Sequence, residues 1–213
     1  MSHPLAPWQL QGYGLLTLHL VDIDRVRPLV PASLQIFSCF PGKTLGGVYV
    51  GRYEAESTLH YSELIAVPAL VHHQGKLGVW ISHIYVDHPD SVAGGREIWG
   101  LPKEMAEFAW EDGAAVSVRQ GDRTLCELRL SWQLPGIEHP VQAPAFTLVN
   151  QQLALFSGKG KVKWQGAGVA LQIPAGSPLQ NLGKPRGAVR LSALDLRVES
   201  PVKVQSADKA STV

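Results

Sequence analysis

Short apolar runs rich in branched side chains recur along this 213-residue chain, and each is closed by a turn or a proline. Such runs read as strands, because branched side chains pack well on a pleated surface while glycine and proline punctuate it. The first covers residues 15–21 (Leu-Leu-Thr-Leu-His-Leu-Val). Asp22 then reads as the N-cap of a short helix through Arg25 and Val26, stopped near Pro31. Further strands are predicted over 34–37, 45–53, 61–71 and 77–86, with Pro68 marking an edge or a bulge. In the last of these, Ile81, His83 and Tyr85 fall on one face, and Trp80 and Ile84 on the other. Residues 91–99 predict a short helix capped by Asp90 and ended by Gly100 and Pro102.

The C-terminal half reads as hairpins. Segments 108–111, 116–119 and 125–132 are separated by Asp112-Gly113 and Gly121-Asp122. A proline-rich connector is expected around Pro135, Pro140 and Pro144, and Lys159 to Trp164 reads as a hairpin turn rather than a nucleic-acid patch. Strands follow near 147–149, 153–156, 162–164, 169–173 and 191–199. The expected fold is mostly β, an α+β chain with few short helices, whose antiparallel strands form a barrel-like sheet around an apolar cavity. Residues 1–204 are expected to form one domain and 205–213 a disordered tail.

Charge limits the partners. Nineteen basic against eighteen acidic side chains give a net charge of +1, so no global field recruits nucleic acid or an anionic membrane. With only 17% charged residues, much of the surface is uncharged and suits a homo-oligomer. Cys39 and Cys126 lack metal spacing and do not make a disulfide framework. The N-terminus lacks a signal-peptide pattern and no transmembrane run is present, so a cytoplasmic location is expected. Neighbouring His72 and His73 lack a third ligand at useful spacing, and no phosphate loop occurs, so neither metal nor cofactor is expected.

The chemistry concentrates in residues 94–105, Gly-Gly-Arg-Glu-Ile-Trp-Gly-Leu-Pro-Lys-Glu-Met. Pro102 fixes the backbone before Lys103, and apolar strands flank the segment, so Lys103 is a candidate for a buried amine. Burial disfavours an ammonium, which is the condition for an amine to attack a carbonyl. Arg96 and Glu97 read as an ion pair fixing the loop.

Gly95-Arg96-Glu97 and Pro102-Lys103, together with Tyr61-Ser62-Glu63, Tyr85, Asp87 and Val30-Pro31, resemble the acetoacetate decarboxylase superfamily. Pro7-Trp8, residues 18–21 and 44–47, and Gly100-Leu101-Pro102 resemble most its plant branch, defined by neoxanthin deficiency. The resemblance implies Lys103 as a Schiff-base nucleophile and Glu63 as its acid–base partner. His83, Tyr85, Tyr61 and His19 are the accompanying candidates for substrate binding.

Two departures from the decarboxylase pattern stand out. Glu104 occupies the place of a second lysine, and Gly12 that of an arginine expected to hold the substrate carboxylate; Val48 and His83 alter two further positions. The expected activity is therefore that of a lyase of decarboxylase, aldolase or dehydratase type, acting on a small-molecule carbonyl other than acetoacetate. The alternative is a non-catalytic binding protein for an apolar isoprenoid or carotenoid-like ligand.

Overall fold

A computed structural model describes residues 3–204; the expected tail at 205–213 lies outside the described residues. The strands are β1 (Trp8–Asp22), β2 (Gln35–Ile36), β3 (Lys43–Tyr53), β4 (Tyr61–Val67), β5 (Ala69–His73), β6 (Lys76–Trp80), β7 (His83–Val86), β8 (Lys103–Met105), β9 (Glu107–Glu111), β10 (Ala115–Gln120), β11 (Arg123–Gln133), β12 (Ile137–Val149), β13 (Gln152–Gln172), β14 (Gly187–Val198) and β15 (Val202–Lys203). Two α-helices interrupt them, α1 (Ile23–Val26) and α2 (Pro89–Trp99).

The mostly β expectation holds, but the closed antiparallel barrel does not. The main path runs β2-β5-β6-β12-β13-β14-β1-β3-β4-β7-β8 and ends at β2 and β8 without joining them. The sheet is also mixed, since β7 pairs with β8, and β6 with β12, in parallel. The chain turns from β7 into β8 through α2, and a parallel neighbour needs a crossover of this kind.

Local chemistry explains several shifted boundaries. The ring of His88, not Asp90, caps α2: its Nδ1 accepts from the Asp90 amide at 3.2 Å, with Pro89 in the first turn. Gly100 closes the helix at φ 63°, where its amide and that of Leu101 return to the carbonyls of Arg96 and Gly95. The proline-rich connector is instead most of β12. Between Ile137 and Pro144 that strand pairs only with β13, so Pro140 and Pro144 sit where no outer partner needs an amide donor. Lys159 to Trp164 lies mid-strand in β13, which joins three segments expected to be separate. That strand pairs with β12 and β14 along its first two thirds and with β11 over residues 167–172.

The sheet has two apolar sides. One carries the main core, with Leu15, Val48, Val50, Leu64, Leu128 and Phe146. The other carries two smaller clusters, one around Leu10, Tyr53, Tyr61 and Val86, the second around Trp8, Ile84, Trp99 and Leu101.

His19 belongs to the main core and is fully buried. Its Nδ1 faces the carbonyls of Leu182 and Gly183 at 3.2 and 3.1 Å and must therefore be the protonated nitrogen; Nε2 accepts from the Thr17 hydroxyl at 2.9 Å. Burial lowers the His19 pKa, against the opposing pull of the two carbonyls. The folded state thus binds fewer protons here than the unfolded chain, and stability falls as pH drops below about 6.5. Urea midpoints at neutral pH and near pH 5 should show this loss, and His19→Gln should flatten the dependence.

Candidate functional site

Register on β7 assembles the site. Glu63 on β4 stands opposite Val86, and Lys103 on β8 stands opposite Ile84. Those partners are two residues apart, so Glu63 and Lys103 project from the same face of the sheet. The amine Nζ lies 2.8 Å from Glu63 Oε1, and the two side chains are 4% and 5% exposed, which makes this a buried ion pair.

The remaining polar valences are largely filled. Lys103 Nζ donates to Ser91 Oγ on α2 at 2.9 Å. Tyr53 donates to Glu63 Oε2 at 3.0 Å, and Tyr61 makes a longer contact of 3.5 Å with Oε1. The amine also lies 5.0 Å from the Tyr61 ring centre and 5.7 Å from that of Trp8, within cation–π range. Burial first, and then the Glu63 charge, push both phenols well above their ordinary pKa, so Tyr53 and Tyr61 remain donors to the carboxylate.

Glycine makes room for the lysine. A Cβ at Gly95 would overlap Lys103 Cδ, and one at Gly94 would lie 2.5 Å from the Trp8 ring. The stem of Lys103 therefore crosses α2 where the helix has no side chain. Arg96 holds the loop below, its Nε donating to the Lys103 carbonyl at 2.8 Å, while Pro102 precedes the strand. The expected Arg96–Glu97 pair is absent; Glu97 contacts His3 at 2.9 Å instead, because consecutive helical residues point apart.

The pair opens onto a cavity of about 210 Å³ lined by Trp8, Tyr49, Ile65, Ile81, Trp99, Phe156 and other apolar side chains. Glu63 and Lys103 are its two charged lining residues. Of the expected substrate-binding residues, Tyr61 reaches this space. His83 and Tyr85 do not: Tyr85 lies beside Leu64 and Glu104 on the reverse face, and His83 has the same parity. His19 faces the main core. Glu104 is exposed and accepts from Gln120, so it stands away from the amine. Gly12 and Val48 are not cavity positions either; Val48 is in the main core, and a Cβ at Gly12 would overlap the Arg52 carbonyl.

Sequence reasoning missed Ser91, Tyr53, Tyr49 and the wall contributed by Trp8. The alternation Tyr49-Val50-Gly51-Arg52-Tyr53 carried a usable signal, with both tyrosines on one face of β3. Ser91 carried none, because only the docking of α2 against β8 brings its hydroxyl to the amine. No group of His, Cys, Asp or Glu suited to a metal occurs among the described residues.

The family model "Acetoacetate decarboxylase (ADC)" matches residues 2–179. The chain belongs to that family. Curated relatives include Protein NEOXANTHIN-DEFICIENT 1 of Oryza sativa subsp. japonica, 25% identical over 180 residues, covering 79% of this chain and 59% of the relative. The protein of the same name from Arabidopsis thaliana is 26% identical over 181 residues, covering 79% and 63%. The chain thus spans about three fifths of the length of these plant relatives. Among solved structures, acetoacetate decarboxylase from Legionella pneumophila aligns with a TM-score of 0.79 at 18% identity, covering 97% of this chain and 90% of that one. The enduracididine biosynthesis enzyme MppR complexed with pyruvate gives a TM-score of 0.69 at 13% identity, covering 96% and 92%. Both likenesses establish the shared fold.

The glycine step on α2 gives a sign test. Helix propensity alone predicts that Gly95→Ala stabilises by about 1 kcal/mol. Overlap with Lys103 should instead make it destabilising by about 1–3 kcal/mol, read from urea unfolding.

Proposed function

We propose that the Lys103 amine is a nucleophile toward a neutral carbonyl compound held in the apolar cavity, and that Glu63 is its acid–base partner. The single observation carrying this reading is the 2.8 Å contact between the two groups in a buried, apolar setting. Glu63 takes a proton from the ammonium, and the free amine forms a carbon–nitrogen bond as the carbonyl electrons move to oxygen, which then takes a proton from the new nitrogen and becomes a hydroxyl. The protonated carboxyl then returns its proton to the departing hydroxyl, which leaves as water and gives the iminium. This cation accepts the electron pair of a bond broken next to the former carbonyl, the requirement shared by retro-aldol cleavage and dehydration, the two outcomes open to a neutral substrate.

Substrate charge follows from the lining. Lys103 is the one cationic side chain among the described residues that line the cavity, and Glu63 already offsets its charge. A carboxylate substrate would lack the bidentate guanidinium partner that suits it. A neutral ketone or aldehyde fits better, and roughly seven water volumes of space favour a small one.

The apolar walls favour a second reading, in which the cavity binds an isoprenoid-like ligand without chemistry. Two relatives bear the name NEOXANTHIN-DEFICIENT 1, in keeping with such a ligand. A cavity of about 210 Å³ would take one end group rather than a whole carotenoid.

Borohydride reduction with 4-methylpentan-2-one separates the readings. The nucleophile reading predicts a reduced adduct on the peptide carrying Lys103, none in Lys103→Ala, and at least about tenfold slower labelling in Glu63→Gln. Ketone binding that survives Lys103→Ala and never traps would instead support the binding protein.

A further inference from the structure

One polar group in the cavity takes no part in the chemistry above. The Tyr49 hydroxyl is buried and is the one side-chain polar atom of its kind without a hydrogen-bond partner among the described residues. A hydroxyl in that state is unfavourable, because it has lost water and gained no acceptor. Tyr53 is close enough to exert an opposing pull on the Tyr49 phenol, but the two hydroxyls do not meet in hydrogen-bond geometry, and Tyr53 gives its proton to Glu63 at 3.0 Å.

The position of Tyr49 is built by its neighbours. A Cβ at Gly14 would lie 2.5 Å from the Tyr49 ring, and one at Gly51 would overlap the Tyr49 hydroxyl itself. Two missing side chains, on β1 and β3, thus form the slot in which the phenol lies. The oxygen rests over Gly51, and Gly51 is the register partner of Glu63. The Glu63 carboxylate is near enough to act on the phenol, and Tyr49 lines the same cavity as Glu63 and Lys103. Burial raises the Tyr49 pKa, so the group is a neutral donor throughout the ordinary pH range.

We infer that the Tyr49 hydroxyl donates a hydrogen bond to a second, uncharged oxygen of the ligand, so that the cavity selects hydroxy- or oxo-substituted carbonyl compounds over simple ketones. The substrate class rests on the proposed role of Lys103, but the hydrogen bond does not require covalent chemistry. A neutral donor in an apolar wall discriminates through the ligand lacking an acceptor, which leaves the buried hydroxyl unpaired. Anionic oxygens gain no full positive charge at this position.

The test compares 4-hydroxy-4-methylpentan-2-one with 4-methylpentan-2-one, which share a carbon skeleton and differ by one hydroxyl. Calorimetric titration of the full chain should give at least tenfold tighter binding of the hydroxyketone. Tyr49→Phe should bring the two affinities within about twofold of each other, with Tm unchanged or raised. Equal affinities in the parent protein, a preference surviving in Tyr49→Phe, or no binding of either compound would each overturn the inference. A lower Tm in Tyr49→Phe would also overturn it, showing that the hydroxyl already has a partner such as a resident water. Borohydride trapping on the same samples reports separately on Lys103: a Tyr49-dependent preference without a trapped adduct would remove the Schiff base and retain the hydrogen bond.

Discussion

A buried ammonium beside a buried carboxylate organises this side of the sheet. Neither group could leave water alone, and each makes the other tolerable only at contact distance with its remaining valences satisfied. Strand register supplies the first condition by aiming Glu63 and Lys103 from neighbouring strands of β7 onto one face. Ser91 and Tyr53 supply the second, and Gly95 clears the path of the lysine stem. Well-packed apolar residues can often replace a buried ion pair without loss of stability. Stability alone therefore does not account for the pair.

The cavity also shows how one fold can be turned toward different ligands. Its walls come from strands far apart in sequence, and its two charges offset each other. Family membership places the chain among acetoacetate decarboxylase relatives, yet the lining contains no arginine among the described residues. Around the pair stand two tyrosines on β3, the Trp8 and Trp99 rings, and small residues such as Ala143 and Ala145 on β12.

Much of this was legible in local patterns, and the failures have physical causes. The strands, the two short helices and the convergence of Lys103, Glu63 and Tyr61 follow from periodicity, turn residues and the family motif. Reading residues 77–86 as one strand gave His83 and Tyr85 the wrong face, because the chain breaks at Ile81 and Ser82 and both Ile81 and Ile84 then reach the cavity. Proline suggested a connector where an unpaired strand edge tolerates it. The opened barrel, the bond from Ser91 and the Arg96 contact with the Lys103 carbonyl depend on the β7-α2-β8 crossover, which sets geometry no local pattern states.

The pairing of β1 with both β3 and β14 carries a consequence for how the molecule comes into being. Trp8 stands opposite Val198, so the first strand borrows one neighbour from the far end of the chain. Leu196 and Val198 also line the cavity. During vectorial synthesis Lys103 and Glu63 emerge well before that wall exists, and contacts so distant along the chain form slowly. The apolar chamber is walled in part by β14, which is made after both charged groups, so the amine keeps access to water until that strand docks.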